Sequence, residues 1–430
     1  MLVTIAIYLC LLSFLTYLLV VFYGIVRHKR SELRKLSFIA TIFFALTPAL
    51  SLTNTLLRDP EPFLTSGANW VRNHGFGVIV DRLEKWKYSA PPSQYAATEL
   101  SLNGDTGLGN ESSSTTTTLE LMSSSVTTNS PIAASTIPRE TMQVTPQEPT
   151  DTTQTTTTTL PYSPAPLGPI VTPTLEGEAE WQVVSRDEES PVVWATSLRP
   201  LENFPSVTLT AVALHRDRLR FALHNGYELP GGSWLFGSQL LNSEMYVPVA
   251  AFNGGFRFEH IDGGYFTEGV EVEPLAAGEA TLAIDPDGKL HLGEWGTDLA
   301  PTENWVSVRQ SLPLIVRDGS NMVTGTWAGL WGVDHGNVTY VFRSGVCETG
   351  GGDFLYFVAD DVDAALFAEA AINLGCSNAM QLDINGNWPQ FAIVENFDEG
   401  LILKLMDRRM SYTQRYAEGS KKDFIGVYRR

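Results

Sequence analysis

FLYFVADDVDAALFAEAAINLGCSNAMQLD (354–383) reads as a strand, a helix and a second strand in one run. FLYFVA (354–359) and AMQLD (379–383) are short apolar runs bounded by turn signals, as buried strands are. Between them, Asp363–Leu374 places Leu366, Phe367, Ala370 and Leu374 on one helical face, and Gly375 follows as a terminator. A helix joining two strands predicts a βαβ crossover.

Outward from that unit the pattern is short strands. SVTLTAVAL (206–214), RLRFAL (218–223), VPVAAF (247–252), ATLAI (280–284), LPLIV (312–316), VTYVF (338–342) and FAIV (391–394) are rich in β-branched and aromatic residues. DPDG at Asp285–Gly288 and DHGN at Asp334–Asn337 read as hairpin turns. The expected fold is α+β, a mixed β-sheet domain with one crossover. Residues 176–430 are enough chain for one sizeable core.

Upstream the composition changes. Residues 97–175 contain SSSTTTT, SSSVTT, TTQTTTTT and PYSPAPLGP. So few large apolar side chains cannot offset chain entropy, which predicts a disordered Ser/Thr/Pro-rich stalk, of the composition O-glycosylated stalks have. Residues 58–96 mix Trp, Phe, Val and Leu with charge, as a juxtamembrane segment does near lipid headgroups. Met1–Val26 and Leu36–Leu57 carry no charged residue, and each is long enough to cross a bilayer. The basic loop RHKRSELRK (27–35) between them predicts a cytoplasmic turn. Residues 1–57 are thus expected to form a two-pass anchor in the cell membrane, with the C-terminal domain extracytoplasmic.

From Glu176 onward there are 36 Asp plus Glu against 18 Lys plus Arg, a net of −18 within the chain's −19. Nucleic-acid binding needs clustered cations and is excluded. An anionic substrate would have to meet local cations or backbone N–H groups. Metal-ligand spacing of the CxxC kind is absent, and the seven His form no HExxH, so no metal or other cofactor is expected. Cys347 and Cys376 are the only cysteines outside the first apolar run; whether they pair or stay separate thiols is open from sequence.

Three glycine-punctuated segments hold the candidate chemistry. In VPVAAFNGGFRFEHIDGGYFTEG (247–269) a strand runs into Asn253, Gly254 and Gly255, where backbone N–H groups can approach an oxyanion, and His260, Asp262 and Glu268 follow. A hairpin with polar tips explains the same residues. In SVRQSLPLIVRDG (307–319) Arg309 and Gln310 precede an apolar strand; Arg309 can clamp a phosphate or sit as a strand-start cation. In AMQLDINGNW (379–388) a core strand ends in Asp383, and Asn385, Gly386 and Asn387 make the turn, so Asp383 is either a rigidly held catalytic carboxylate or a turn cap. DINGN is not an EF-hand calcium loop, because Trp388 stands where that loop needs Gly and Val394 where it needs Glu.

Together AAFNGGF, GGYFTEG and a late helix leading into Leu382-Asp383 resemble the phosphodiester glycosidase family. YFTEG, GEWGTDL (293–299), VRQSLPLIV, AMQLDINGNW and RYAEGSKKDFIGVYRR (415–430), with the upstream WVRNHGFGVIVD, are similar to a bacterial, membrane-anchored branch of it. The resemblance implies hydrolysis of the sugar C1–O bond of a sugar-1-phosphodiester. It implies Asp383 as base or nucleophile, Asn253 as an orienting residue, Glu268 as a second carboxylate and Arg309 as a phosphate clamp. Gly254, Gly255, His260 and Asn385 are the accompanying substrate-binding candidates. Two positions depart from the family pattern: LDINGN replaces L-D-G-G-G-S, and Ala328 stands at an expected Arg. An amide-rich turn and a cation together supply several kcal/mol to a charged transition state.

Two functions follow from this reading. One is a tethered glycosidase acting on carbohydrate or phosphoglycan of the envelope or surroundings. The other is a catalytically inactive glycan-binding module that uses the same cleft, with tryptophans such as Trp234, Trp295 and Trp388 as sugar platforms.

Overall fold

The computed structural model describes residues 77–103, 162–323, 340–384, 386–396 and 400–430, with isolated positions 52, 67, 68, 70, 71, 74 and 331. The two expected membrane spans, the DHGN turn, Ala328 and Asn385 lie outside the described residues. Among the described residues no helix is long and apolar enough to cross a membrane.

Helix α1 (Gly77–Tyr88) precedes strands β1 (Gln182–Asp187), β2 (Ser190–Leu198), β3 (Leu209–Leu214), β4 (Leu219–His224), β5 (Pro248–Asn253) and β6 (Tyr265–Thr267). Next come β7 (Val270–Glu273), β8 (Ala280–Ile284), β9 (Leu290–Glu294), β10 (Ser307–Gln310), β11 (Val316–Arg317) and β12 (Ser320–Asn321). The chain closes with β13 (Val341–Thr349), β14 (Phe354–Val362), α2 (Ala364–Asn373), β15 (Cys376–Asp383), β16 (Phe391–Asn396), β17 (Ile402–Leu405), α3 (Arg415–Glu418) and β18 (Phe424–Arg429).

The strands form three sheets, ordered β1-β2-β3-β14-β13-β15-β11-β12, β7-β6-β10-β8-β9 and β17-β16-β5-β18-β4. Helix α2 forms where the 3.6-residue pattern places it, capped by Asp363, whose carboxylate accepts from Leu366 N at 2.8 Å. It carries the chain from β14 over β13 to β15. Both strands pair antiparallel with β13, so they run the same way without touching. The expected mixed sheet is therefore corrected: every ladder between these strands is antiparallel, because β13 lies between the two parallel-running strands and pairs antiparallel with each.

Continuous apolar runs, buried on both faces, explain the core. Phe252 of β5, Val346 of β13, Tyr356 of β14, Leu382 of β15, Phe391 of β16 and Phe424 of β18 are buried in one cluster fed by all three sheets. Each fully buried side chain of this kind is worth about 2 kcal/mol of transfer free energy. Cys347 and Cys376 are joined in a disulfide that ties β13 to β15.

One expected strand is displaced. LPLIV (312–316) is irregular apart from its last residue, whereas the polar SVRQ before it is the buried strand β10. Its polar groups are satisfied internally: Gln310 Oε1 accepts from Gly264 N and Ala276 N at 2.8 Å each, and Nε2 donates to Ala276 O and Thr281.

Both flanks of the Ser/Thr-rich segment bond to this domain. Asn103 N donates to Met406 O and Ser101 bonds Ser197 and Thr210 on one side. On the other, Ala165 N donates to Asp353, and Arg199 donates to Val171 O and Pro173 O.

Candidate active site

Three strand ends converge because of sheet register. Phe424 of β18 pairs with Asn253 of β5, which sets Lys422 and Asp423 beside Gly254, whose N–H donates to Asp423 O at 3.0 Å. Ser344 of β13 pairs with Asp383 of β15 and bridges sheets, since its hydroxyl accepts from Asn253 Nδ2 at 3.0 Å and from Asp383 N at 3.2 Å.

A small pocket opens there, lined by Asn253, Gly254, Asp383, Trp388, Arg415, Tyr416, Ser420, Lys422 and Asp423. The Asp383 carboxylate accepts from Ile384 N at 2.8 Å and pairs with the Lys422 ammonium, both side chains being 6% exposed. Lys422 Nζ and the Arg415 guanidinium lie over the Trp388 ring, 5.0 and 4.7 Å from its centroid. Arg415 donates to Asn387 O at 2.6 Å and Trp388 O at 3.4 Å, both neutral. Burial raises the Tyr416 hydroxyl above its ordinary range, so it stays protonated.

Asn253 has all four hydrogen-bonding positions filled. Nδ2 donates to Ser344 and to Gly254 O, while Oδ1 accepts from Tyr356 OH and Gln390 N. Its amide braces the site. Gly254 is required by close approach, since a Cβ there would fall 1.9 Å from Asp423 Oδ2. A Cβ on Gly255 would press on the Arg309 guanidinium at 3.0 Å.

Arg309 is buried beneath the pocket rather than in its wall. Its Nε donates to Asp423 Oδ2 at 2.8 Å, Nη1 to Gln310 O at 2.6 Å and Nη2 to Phe256 O and Asp423 Oδ1. Among the described residues of the cluster, Arg309 is matched to Asp423 and Lys422 to Asp383, while Arg415 donates to neutral carbonyls.

The other sequence candidates lie elsewhere. Glu268 and Gly269, at φ +48° and +81°, form the two-residue turn between β6 and β7. The Glu268 carboxylate accepts from Leu235 N and Phe236 N at 3.0 Å each. His260 ends an exposed 3-10 turn, Phe258–His260. Lys422, Arg415, Tyr416 and Asp423 drew no role from sequence, although RYAEGSKKDFIGVYRR, which contains all four, stood out as a block.

Residues 246–383 match the family model of the phosphodiester glycosidases. The matched stretch, about a third of the chain, is similar to a phosphodiester glycosidase domain. It contains Asn253, Arg309 and Asp383. No curated protein matches the chain significantly. Among solved structures it is similar to the catalytic domain of zebrafish N-acetylglucosamine-1-phosphodiester alpha-N-acetylglucosaminidase, auto-inhibited by its pro-peptide. That pair shares 17% identity at a TM-score of 0.39, covering 58% of this chain and 88% of the other. A hypothetical protein from Synechocystis is similar at 10% identity and a TM-score of 0.33, covering 56% of this chain and 64% of that one.

Proposed function

We propose that this chain is a membrane-tethered, extracytoplasmic glycosidase that hydrolyses the sugar C1–O bond of sugar-1-phosphodiesters in envelope or extracellular glycans. The observation that carries this is a pocket carboxylate, Asp383, set beside the cations Lys422 and Arg415 in a chain that matches the phosphodiester glycosidases over residues 246–383. Tethering rests on the uncharged runs Met1–Val26 and Leu36–Leu57.

Water supplies the oxygen that ends on C1, the C1–O bond breaks, and its electron pair leaves with a phosphate monoester. A phosphate leaving group is a weak base, so general-acid help is a small part of the barrier. Asp383 serves as base toward the water or as nucleophile toward C1. Arg415, with Lys422 beside it, offsets the charge that grows on the departing phosphate. Trp388 is the apolar wall against which a sugar ring lies. Asn253 acts by holding Ser344 and Gly254 in place, and Arg309 by holding Asp423.

The test is hydrolysis of a panel of sugar-1-phosphodiesters by the full chain in detergent beside its Asp383→Ala variant. Sugar release by the parent and its loss in the variant support the reading. A folded parent that binds glycans without turnover makes the chain a binding module instead.

A further inference from the structure

Exposed apolar side chains gather on helix α1. Val78, Ile79, Leu83 and Trp86 are 64, 56, 55 and 71% exposed. At about 100° per residue they fall in one sector of the helix, and the exposed Arg82 lies in that sector too. Exposed apolar residues on one side of a helix that also carries Arg82, Lys85 and Lys87 are the composition of a helix lying in the headgroup zone of a bilayer, where the long Arg82 stem can carry its charge out to water.

The far end of α1 is fixed to the domain at the strand ends that carry the pocket. Tyr88 packs on a buried cluster of Phe256, Leu312, Val341 and Ile384, and its carbonyl accepts from Tyr340 N at 3.2 Å. Ile384 is the residue after Asp383, and Phe256 follows Asn253-Gly254-Gly255. At the near end, only residues 58–76 separate α1 from the uncharged run Leu36–Leu57. The catalytic domain itself is strongly acidic and would be repelled by an anionic leaflet, so a basic, apolar contact is needed wherever it comes close.

We propose that α1 lies in the bilayer surface with Val78, Ile79, Leu83 and Trp86 facing the lipid, and presents the Asp383 pocket to sugar phosphodiesters whose second ester is a membrane lipid. The substrate half of this rests on the glycosidase reading above. The sugar is released to water, while the phosphate keeps the electron pair of the broken C1–O bond and stays in the bilayer as a lipid monoester.

The full chain is reconstituted in phosphatidylethanolamine–phosphatidylglycerol vesicles, with a spin label on Trp86→Cys in a Cys10→Ser background. Collisions with oxygen exceeding those with a water-soluble nickel chelate are expected; the reverse overturns the docking. A second variant changes Val78, Ile79, Leu83 and Trp86 together to Ser. Its turnover of a dodecyl-phosphate sugar embedded in vesicles should fall about tenfold or more, with turnover of the methyl-phosphate analogue in water within about twofold of the parent. Retained turnover of the methyl compound also shows that the variant is folded. Equal rates of variant and parent on the embedded substrate, or equal losses on both substrates, overturn the link between helix and substrate. A parent inactive on both compounds sinks the glycosidase reading instead and the substrate half with it, and the label alone then decides the docking.

Discussion

Arg309 and Asp423, 114 residues apart, close an ion pair beneath the pocket in which Nε lies 2.8 Å from Oδ2 and the side chains are 1% and 0% exposed. The Asp423 backbone in turn receives the Gly254 N–H. This pair joins β10, the end of β5 and the start of β18, so it sets the floor on which Asp383 and Lys422 meet.

Arg309→Met should leave the Asp423 carboxylate buried without its cation and destabilise the domain by about 3–5 kcal/mol. Lys422→Met likewise strips the cation from a buried carboxylate, Asp383, since both side chains are 6% exposed, so it should cost stability on a similar scale but lower turnover far more. Urea midpoints beside sugar-release rates separate the two. An Arg309→Met protein with the parent's midpoint and a weakened KM would make Arg309 a substrate ligand.

Glu268 and Asp383 should part company in the same assay. Asp383→Asn should lower turnover on the order of 10³-fold or more, the scale of losing a group that acts only in the transition state. Glu268→Gln should weaken the hold on Leu235 and Phe236 and raise local hydrogen exchange there, with turnover changed only several-fold. A loss from Glu268→Gln as large as that from Asp383→Asn would place its carboxylate at the reacting atoms.

A buried group and a half-buried one give opposite pH dependences. Burial lowers His224 to about 4, so it is neutral while its unfolded counterpart binds a proton. Stability from this group is complete above about pH 6.5 and is lost as pH falls toward 4. Burial, and then the Asp262 charge, raises Glu279 to about 7. The folded state therefore holds that proton more tightly, and stability falls as pH rises from about 4.5 to 7. Glu279→Gln should be more stable than the parent at about pH 8 and lose the excess at about pH 4, leaving the acid loss due to His224 in view. Urea midpoints across that range check both signs; parallel curves for parent and variant would contradict the account.

Reducing the Cys347–Cys376 bond should also cost stability. It closes a loop between positions 29 apart, and a cross-link of that size is worth about 3–4 kcal/mol through the unfolded chain. Cys347→Ala with Cys376→Ala should shift the urea midpoint accordingly, while the parent under reductant should match the double variant.

What the sequence made legible follows from the range of the interactions. Helix α2 and the core strands were readable because their periodicity is local and their burial needs apolar residues at fixed spacing. β10 was not, since Ser307, Arg309 and Gln310 look like solvent-facing residues until partners such as Gly264, Ala276 and Asp423 fill their polar groups. Asn253 and Asp383 could be singled out because each ends an apolar strand before a glycine-containing turn. Lys422 could not: a Lys-Lys-Asp run reads as a solvated turn, and its pairing with Asp383 depends on β18 joining β5. Arg309 was noticed for its charge, but which anion it meets is a matter of tertiary register.

The hydrogen bonds that fasten residues 101–103 and 165–173 to the same domain also bear on how the protein can vary. Lengthening or trimming the Thr-rich stretch between those flanks leaves the path from Tyr88 to Asp383 unaltered. Changes of length in the Thr-rich sequence between those flanks are thus expected to leave the site in place.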